Sequence, residues 1–395
     1  MQFPKLFLKS KRESSILRRH PWVFSGAIDK ADGKLVEGDI AEVCDRNGSF
    51  LALGHLGNGS IALRIFSFEQ VEPNEEYWKS KIAKAWNLRA GLGLTNSKST
   101  TMFRLVHGEG DGLPGLIVDV YNGTAVIQCH SMGMYLLREI FAQAILECSG
   151  SVVHSVYDKS AETMSKIGLN DSENAQLHGD FIGNTTALEY GIKYKVDWEF
   201  GQKTGFFIDQ RENRKLLGEM SAGKRVLNTF CYTGGFSMSA LQAGAKTVHS
   251  LDSSQKALDL TLENIALNKF EKLDHKVIKA DAVEYLKNIE EEYDIIVLDP
   301  PAFAKHQSAK HAAVQAYKRI NLQAIQQVKS GGFIFTFSCS QAVDKELFNN
   351  TIRSAAIDSG RVVKIIHQLH QPADHPINIY HPEGEYLKGL VLFVE

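Results

Sequence analysis

The chain has too few cysteines, too widely scattered, for disulfides to hold it together. Its 395 residues include five, Cys44, Cys129, Cys148, Cys231 and Cys339. The number is odd and no two form a C-x-x-C pair, which argues against a disulfide framework and against a zinc knuckle. No metal is expected. Long apolar runs are also missing, since none reaches the ~18 residues of a membrane span. The opening MQFPKLFLKSKRESS carries lysines but no apolar stretch, so it does not read as a secretory signal. These absences point to the cytoplasm and to no membrane partner. Charge of one sign is lacking too. A net charge of −2 gives no overall field to attract nucleic acid.

What is present is ordinary globular protein. The chain is 44% hydrophobic and 23% charged, which argues against disorder. Its length fits roughly two to four domains. The charge is unevenly spread. Lys5, Lys9, Lys11, Arg12, Arg18 and Arg19 stand against Glu13 alone in the first twenty residues. Such a run is either a solvated face or an RNA platform. Trp22 and Phe24 follow directly, which sets aromatic rings beside the basic charge, as single-stranded RNA readers require.

Three segments follow from the patterning. Residues 1–73 read as small all-β, because GDIAEVCDRNGSFLALGHLGNGSIALRIFS alternates short apolar runs with Asn-Gly turns. A helix from about Tyr77 to Leu92 opens a mixed α+β segment, 74–185, with a strand–turn–strand in LIVDVYNGTAVIQCHS and a helix in GMYLLREIFAQAILEC. The glycine-rich HGEGDGLPG is a turn-rich loop with no helix after it, a poor phosphate cradle. From 186 to 395 strand and helix alternate, which predicts an α/β domain with a parallel sheet covered on both faces. Ligands sit at the carboxyl ends of such strands.

Those strand ends carry the chemistry. The first ends in NTFCYTGGFS, where Phe230, Tyr232, Thr233, Gly234 and Gly235 are candidates for a ligand loop, the glycines allowing close backbone approach. The second ends at Asp252, placed to accept from both ribose hydroxyls of an adenosine-containing ligand. The third ends at Asp281, within reach of an adenine amino group. The G-x-G-x-x-G dinucleotide fingerprint is missing, which disfavours NAD and favours S-adenosylmethionine. The fourth ends in LDPPAF. There Asp299 leaves the sheet toward the donor, Pro300 and Pro301 stiffen the exit, and Phe303 can stack on a base. The fifth, FTFSCS, stops at Ser338-Cys339-Ser340. Three of the other cysteines sit in no such context and read as buried thiols, as does Cys231 within the first loop.

In combination these stretches resemble the bacterial 23S ribosomal RNA large-subunit methyltransferase I family. The likeness is strongest from FGQKTGFFIDQRENR through VLNTFCYTGGFS, LDPPAF and FTFSCS to ADHPINIYHPEGEYLKG. It reaches the N-terminus, where LRRHPWVFSGAI and the strands after it are similar to that family's PUA RNA-binding domain. The resemblance implies a multidomain protein. A small all-β PUA barrel, an α+β middle domain and a C-terminal class I (Rossmann-like) methyltransferase domain would use S-adenosylmethionine on 23S ribosomal RNA to make 5-methylcytosine. It makes Cys339 the nucleophile. It puts KTGFFIDQR, with Lys203, over the donor or the base. If the basic run and the barrel form the RNA platform, Arg18 and Arg19 are its RNA contacts. Asp299 becomes a candidate for orienting the cytosine.

One departure stands out. Better-known RNA cytosine methyltransferases carry a second cysteine after the Pro of the fourth-strand motif, where this chain has Pro301 and then Ala302. The group that helps release product is therefore unassigned. Two other readings stay open: methylation of a base nitrogen, which Asp-Pro-Pro-x-aromatic also serves, and a ribosome-assembly factor with a vestigial donor site. Nothing in the residues decides between a monomer and a homodimer.

Overall fold

The computed structural model describes residues 3–304 and 306–395. The chain forms two compact units. Unit 1 is 1–188 with 196–208 and 373–384, and unit 2 is 189–195 with 209–372 and 385–395.

Unit 1 begins with strands β1 (Lys5–Leu8), β2 (Trp22–Phe24), β3 (Ile28–Asp32), β4 (Ile40–Cys44), β5 (Phe50–Leu56) and β6 (Ile61–Ser67), and a single helical turn, α1 (Ser14–Leu17). They form one sheet in the order β2-β6-β5-β4-β1-β3. Alternate residues turn inward, and Leu6, Leu8, Val23, Val43, Leu63 and Ile65 make its core. Helix α2 (Glu75–Gly91) follows, capped by the Asn74 side chain accepting from Tyr77 N. It buries Trp78, Ile82 and Trp86 against a second sheet. That sheet is β7 (Met102–His107), β8 (Leu116–Tyr121), β9 (Thr124–Cys129), β10 (Ser155–Asp158) and β11 (Ala175–His178), in the order β11-β10-β9-β8-β7. Asn122 and Gly123 both have positive φ, +46° and +90°, which is what the tight β8–β9 hairpin needs.

The helix expected in GMYLLREIFAQAILEC is broken at Leu137 into α3 (Met132–Leu136) and α4 (Arg138–Ser149). After α5 (Ala161–Ser165), a hairpin of β12 (Asn184–Glu189) and β13 (Ile192–Asp197) straddles the boundary between the units. Within unit 1 the 373–384 segment is fastened by Arg89, which is fully buried. Its guanidinium grips Asp111 at 2.5 and 2.9 Å and donates to the Asp374 carbonyl at 2.7 Å.

Unit 2 is built on a seven-stranded sheet in the order β16-β15-β14-β17-β18-β20-β19. Its strands are β14 (Arg225–Thr229), β15 (Thr247–Asp252), β16 (His275–Lys279), β17 (Ile295–Leu298), β18 (Gly332–Ser338), β19 (Val363–Leu369) and β20 (Lys388–Val394). Helix α6 (Arg211–Ser221) precedes β14, and between the strands run α7 (Gly235–Gln242), α8 (Gln255–Leu267), α9 (Ala282–Tyr285), α10 (Lys310–Gln327) and α11 (Lys345–Ser359). The central strands are apolar on both faces, as in IIVL of β17, fully buried. That is the mark of a sheet covered by helices.

Two expectations are corrected. The sheet is mixed, because β20 runs antiparallel to both β18 and β19. The helix expected over AVEYLKNIEEE is only the single turn of α9. The exchange of strand direction matters below, because it brings the first residue of β20 to the carboxyl end of β18.

Candidate active site

The loop between β14 and α7 is bent back on itself. Phe230, Tyr232 and Gly234 all have left-handed φ, at +54°, +48° and +77°. For Phe and Tyr this conformation costs energy and persists only when neighbours enforce it. Here they do. Cys231 N donates to Leu251 O at 3.0 Å. Thr261 Oγ1 donates to Tyr232 O at 3.0 Å and Asn264 Nδ2 to Thr233 O at 2.9 Å, both from α8. Tyr232 N donates to Asp252 Oδ2 at 3.1 Å.

The glycines have a packing reason as well as a ligand reason. A Cβ on Gly234 would come within 2.7 Å of Thr261 Cγ2, and one on Gly235 within 2.9 Å of Arg214 Cδ. Arg214 is itself buried in a two-pronged ion pair with Glu189, 2.6 Å on each side. The QRENR part of the sequence motif thus buttresses the start of α7. Sequence reasoning missed this, because Glu189 sits on the hairpin, far from Arg214 in the chain.

Asp252 ends β15 and is half-buried. Its two oxygens accept from Tyr232 N and, at 2.9 Å, from Ser254 N. An ionised carboxylate has about four acceptor positions, so this arrangement leaves room for two hydroxyl donors. Asp281 sits differently from the expectation. Strand β16 stops at Lys279, and Asp281 is the exposed N-cap of α9, accepting from Glu284 N at 3.0 Å. Only part of its carboxylate is left for a ligand.

The last two strand tips are tied together. Thr229, Leu298 and Thr336 lie side by side across β14, β17 and β18. Asp299, half-buried, and Pro300, buried, therefore leave the sheet beside the end of β18. Ser338 and Ser340 are completely buried, whereas Cys339 between them is partly exposed. Ser340 Oγ accepts from Ala304 N at 3.2 Å, which fastens the thiol turn to the Asp299–Ala304 loop. It also shares a 3.3 Å bond with the Tyr317 hydroxyl of α10. Phe303 packs on the Tyr317 ring, 4.7 Å between centroids. Lys388, the first residue of β20, pairs with Ser338 in register and donates from Nζ to Ser340 O at 2.7 Å. Neither Tyr317 nor Lys388 carries a sequence signal that marks it out.

The other four cysteines behave as inert thiols. Burial raises the pKa of Cys44, that of Cys129 far more, and pushes Cys148 up to about 11 and Cys231 up to about 12.

The remaining candidates belong to unit 1. Arg18 and Arg19 are exposed at the end of α1, Arg19 with its guanidinium 5.8 Å from the Phe68 ring centroid. Lys203 is exposed, with Nζ 5.2 Å from the Phe207 ring centroid. Phe24 is exposed, but Trp22 is half-buried, its indole N–H donating to Glu109 Oε1 at 2.7 Å. Trp22 packs on His381 at 4.3 Å. His20, His381 and Glu383 hold donor atoms within 4.8 Å of one another, the one such group of potential metal ligands among the described residues. None of the strand-tip residues belongs to it.

Comparison with known proteins agrees with this architecture. Residues 6–68 match the model of a PUA-like domain, and 162–382 that of an S-adenosylmethionine-dependent methyltransferase. A protein described as a SAM-dependent methyltransferase from Streptococcus mutans superposes with a TM-score of 0.84, covering 99% of this chain and 100% of its own, at 23% identity. A methyltransferase complexed with SAH does so at 0.86 and 24% identity, with the same coverage. The chain is 37% identical to the ribosomal RNA large subunit methyltransferase I of Aeromonas hydrophila, and 39% identical to that of Tolumonas auensis. Identity at this level over 98% of this chain and 98% of each relative makes the chain a member of the ribosomal RNA large subunit methyltransferase I family, with S-adenosylmethionine as its cofactor.

Proposed function

We propose that the protein methylates carbon 5 of a cytosine in 23S ribosomal RNA through a transient bond from Cys339. Residues 1–73 serve as the PUA RNA-binding module, 74–185 as the middle α+β domain and 186–395 as the methyltransferase, working in the cytoplasm. The observation that carries the reading is the Ser338-Cys339-Ser340 turn. A merely structural thiol gains nothing from being the partly exposed member of a turn whose neighbours are fully buried and bonded. A nucleophile needs that placement.

The chemistry explains the residue type. Carbon 5 of cytosine is a poor nucleophile within an electron-poor aromatic ring. A thiolate adding to carbon 6 forms the S–C6 bond, breaks the aromaticity and moves electron density onto carbon 5. S-adenosylmethionine, when bound, supplies the methyl group that carbon 5 then takes. Loss of the carbon 5 proton and cleavage of S–C6 restore the ring and the thiolate. Covalent catalysis of this kind divides one hard step into easier ones, and near neutral pH a thiolate is the side chain suited to it.

The surrounding residues have roles that fit. Phe230, Tyr232, Thr233, Gly234 and Gly235 shape the loop against the donor. Asp252 holds the ribose and Asp281 lies toward the adenine. Asp299, Pro300, Pro301 and Phe303 form one wall for the base, Phe303 by stacking. Arg18 and Arg19 contact the RNA backbone, and Lys203 the bound substrate.

Three outcomes are expected. Asp252→Ala weakens S-adenosylmethionine binding in calorimetry roughly ten- to hundredfold, since a bond to a charged group contributes about 1.5–3 kcal/mol; unchanged affinity removes Asp252 from the donor site. Neutralising Arg18 and Arg19 to Gln weakens RNA binding and flattens its salt dependence by roughly 0.7 log unit for each phosphate no longer neutralised, with donor binding untouched. RNA affinity equal to the unmodified protein across a salt series makes the basic run a solvated face. Cys339→Ala abolishes methyl transfer, read by mass spectrometry of nucleosides, while donor and RNA still bind. A comparable rate in that variant overturns covalent catalysis and favours methylation of a base nitrogen.

A further inference from the structure

Lys388 is only 4% exposed, and a buried ammonium is costly unless a negative charge answers it. Its one hydrogen bond among the described residues, to the neutral Ser340 carbonyl, uses one of three donors. No carboxylate lies within ion-pair distance of it among the described residues.

The acidic groups nearest in its field are otherwise engaged. Glu385 pairs with Lys345 at 3.5 Å. Asp344 caps α11, accepting from Leu347 N at 2.8 Å. Tyr317 faces the same turn from α10, but burial raises its pKa, so it stays a neutral phenol. Burial lowers the pKa of Lys388, and the largest opposing influence is Cys339, ahead of Glu385 and Asp344. Geometry places the ammonium at the same turn: Lys388 lies opposite Ser338 in register, and its Nζ reaches the carbonyl of Ser340, the residue next to Cys339.

We propose that Lys388 is the positioning residue that holds Cys339 as a thiolate, its buried ammonium serving as the counter-charge. The inference rests on the reading of Cys339 as nucleophile. In the resting protein the thiol proton leaves to solvent and Lys388 keeps its own. When the S–C6 bond forms, the sulfur electron pair becomes that bond, and the negative charge moves onto the base. When S–C6 breaks, the pair returns to sulfur beside the same ammonium, so Lys388 assists both attack and departure without exchanging a proton. A neighbouring cation is the ordinary way to make a cysteine reactive near neutral pH. The antiparallel β20 delivers this one to the carboxyl end of a parallel strand.

The test is the pH dependence of alkylation by iodoacetamide on the full chain, followed at Cys339 by peptide mass spectrometry. Cys148, half-buried in unit 1, is the internal control. Lys388→Met keeps the volume and removes the charge. It is expected to slow Cys339 alkylation at neutral pH roughly tenfold, to move the midpoint upward, and to leave Cys148 unchanged. Lys388→Arg is expected to keep the midpoint low. A midpoint unaltered in Lys388→Met overturns the proposal. Should that variant fail to fold, the unmodified protein decides. Its Cys339 midpoint must lie below that of a synthetic FTFSCSQAVD peptide, and a midpoint at or above the peptide's overturns the pairing. The two readings fail separately. Active Cys339→Ala with a shifted Lys388→Met midpoint keeps the pairing and discards the nucleophile, and the reverse pair of results does the opposite.

Discussion

Ser340 is where the carboxyl ends of the β17 and β18 strands are fastened together. Its hydroxyl takes the Ala304 amide from the fourth-strand loop and shares a bond with Tyr317 from α10. Its carbonyl takes the Lys388 ammonium from β20 and the Val343 amide from its own turn. Buried polar groups must be bonded, so four separate pieces of chain have one way to meet. Cys339 has no freedom to wander from the tip of β18. The Asp299–Ala304 loop cannot drift from it either. A reacting group fixed before substrate arrives avoids much of the entropic cost of attack.

The loop between β14 and α7 shows a second use of constraint. Two non-glycine residues in left-handed conformation cost on the order of 1–3 kcal/mol each. Hydrogen bonds from Thr261, Asn264 and to Asp252, each contributing about 1 kcal/mol net, offset that cost and hold the loop bent. The backbone of Cys231 to Gly234 is therefore set by α8 and β15. Arg214, locked to Glu189, presses on Gly235 from behind. Thr261, Asn264 and Arg214 shape the loop from the side of α8 and α6.

Much of this was legible in the sequence where the signal is local. The Asn122-Gly123 hairpin, the strand tips at Asp252, Asp299 and Cys339, and the alternation that makes the sheet all follow from short-range chemistry. Long-range facts were not legible. Nothing near Lys388 says that β20 turns antiparallel and sets its first residue beside Ser338. Nothing near Glu189 says that it will meet Arg214. The two serines flanking the thiol read as a polar setting, but their partners Ala304, Tyr317 and Lys388 come from three other elements. Asp281 was misplaced by two residues because α9 takes its carboxylate as a cap, a competition the strand pattern does not reveal.

The central claim is that Cys339 becomes bonded to the base. The most direct measurement uses a large-subunit RNA transcript in which cytidine is replaced by 5-fluorocytidine, incubated with the protein and S-adenosylmethionine. Fluorine at carbon 5 cannot leave as a proton does, so the S–C6 bond is trapped. The account predicts a denaturant-stable protein–RNA complex, carrying one methyl group, whose cross-linked peptide maps to Cys339. Methylation of ordinary transcript at a base nitrogen, with no trapped complex on the fluorinated one, would contradict it.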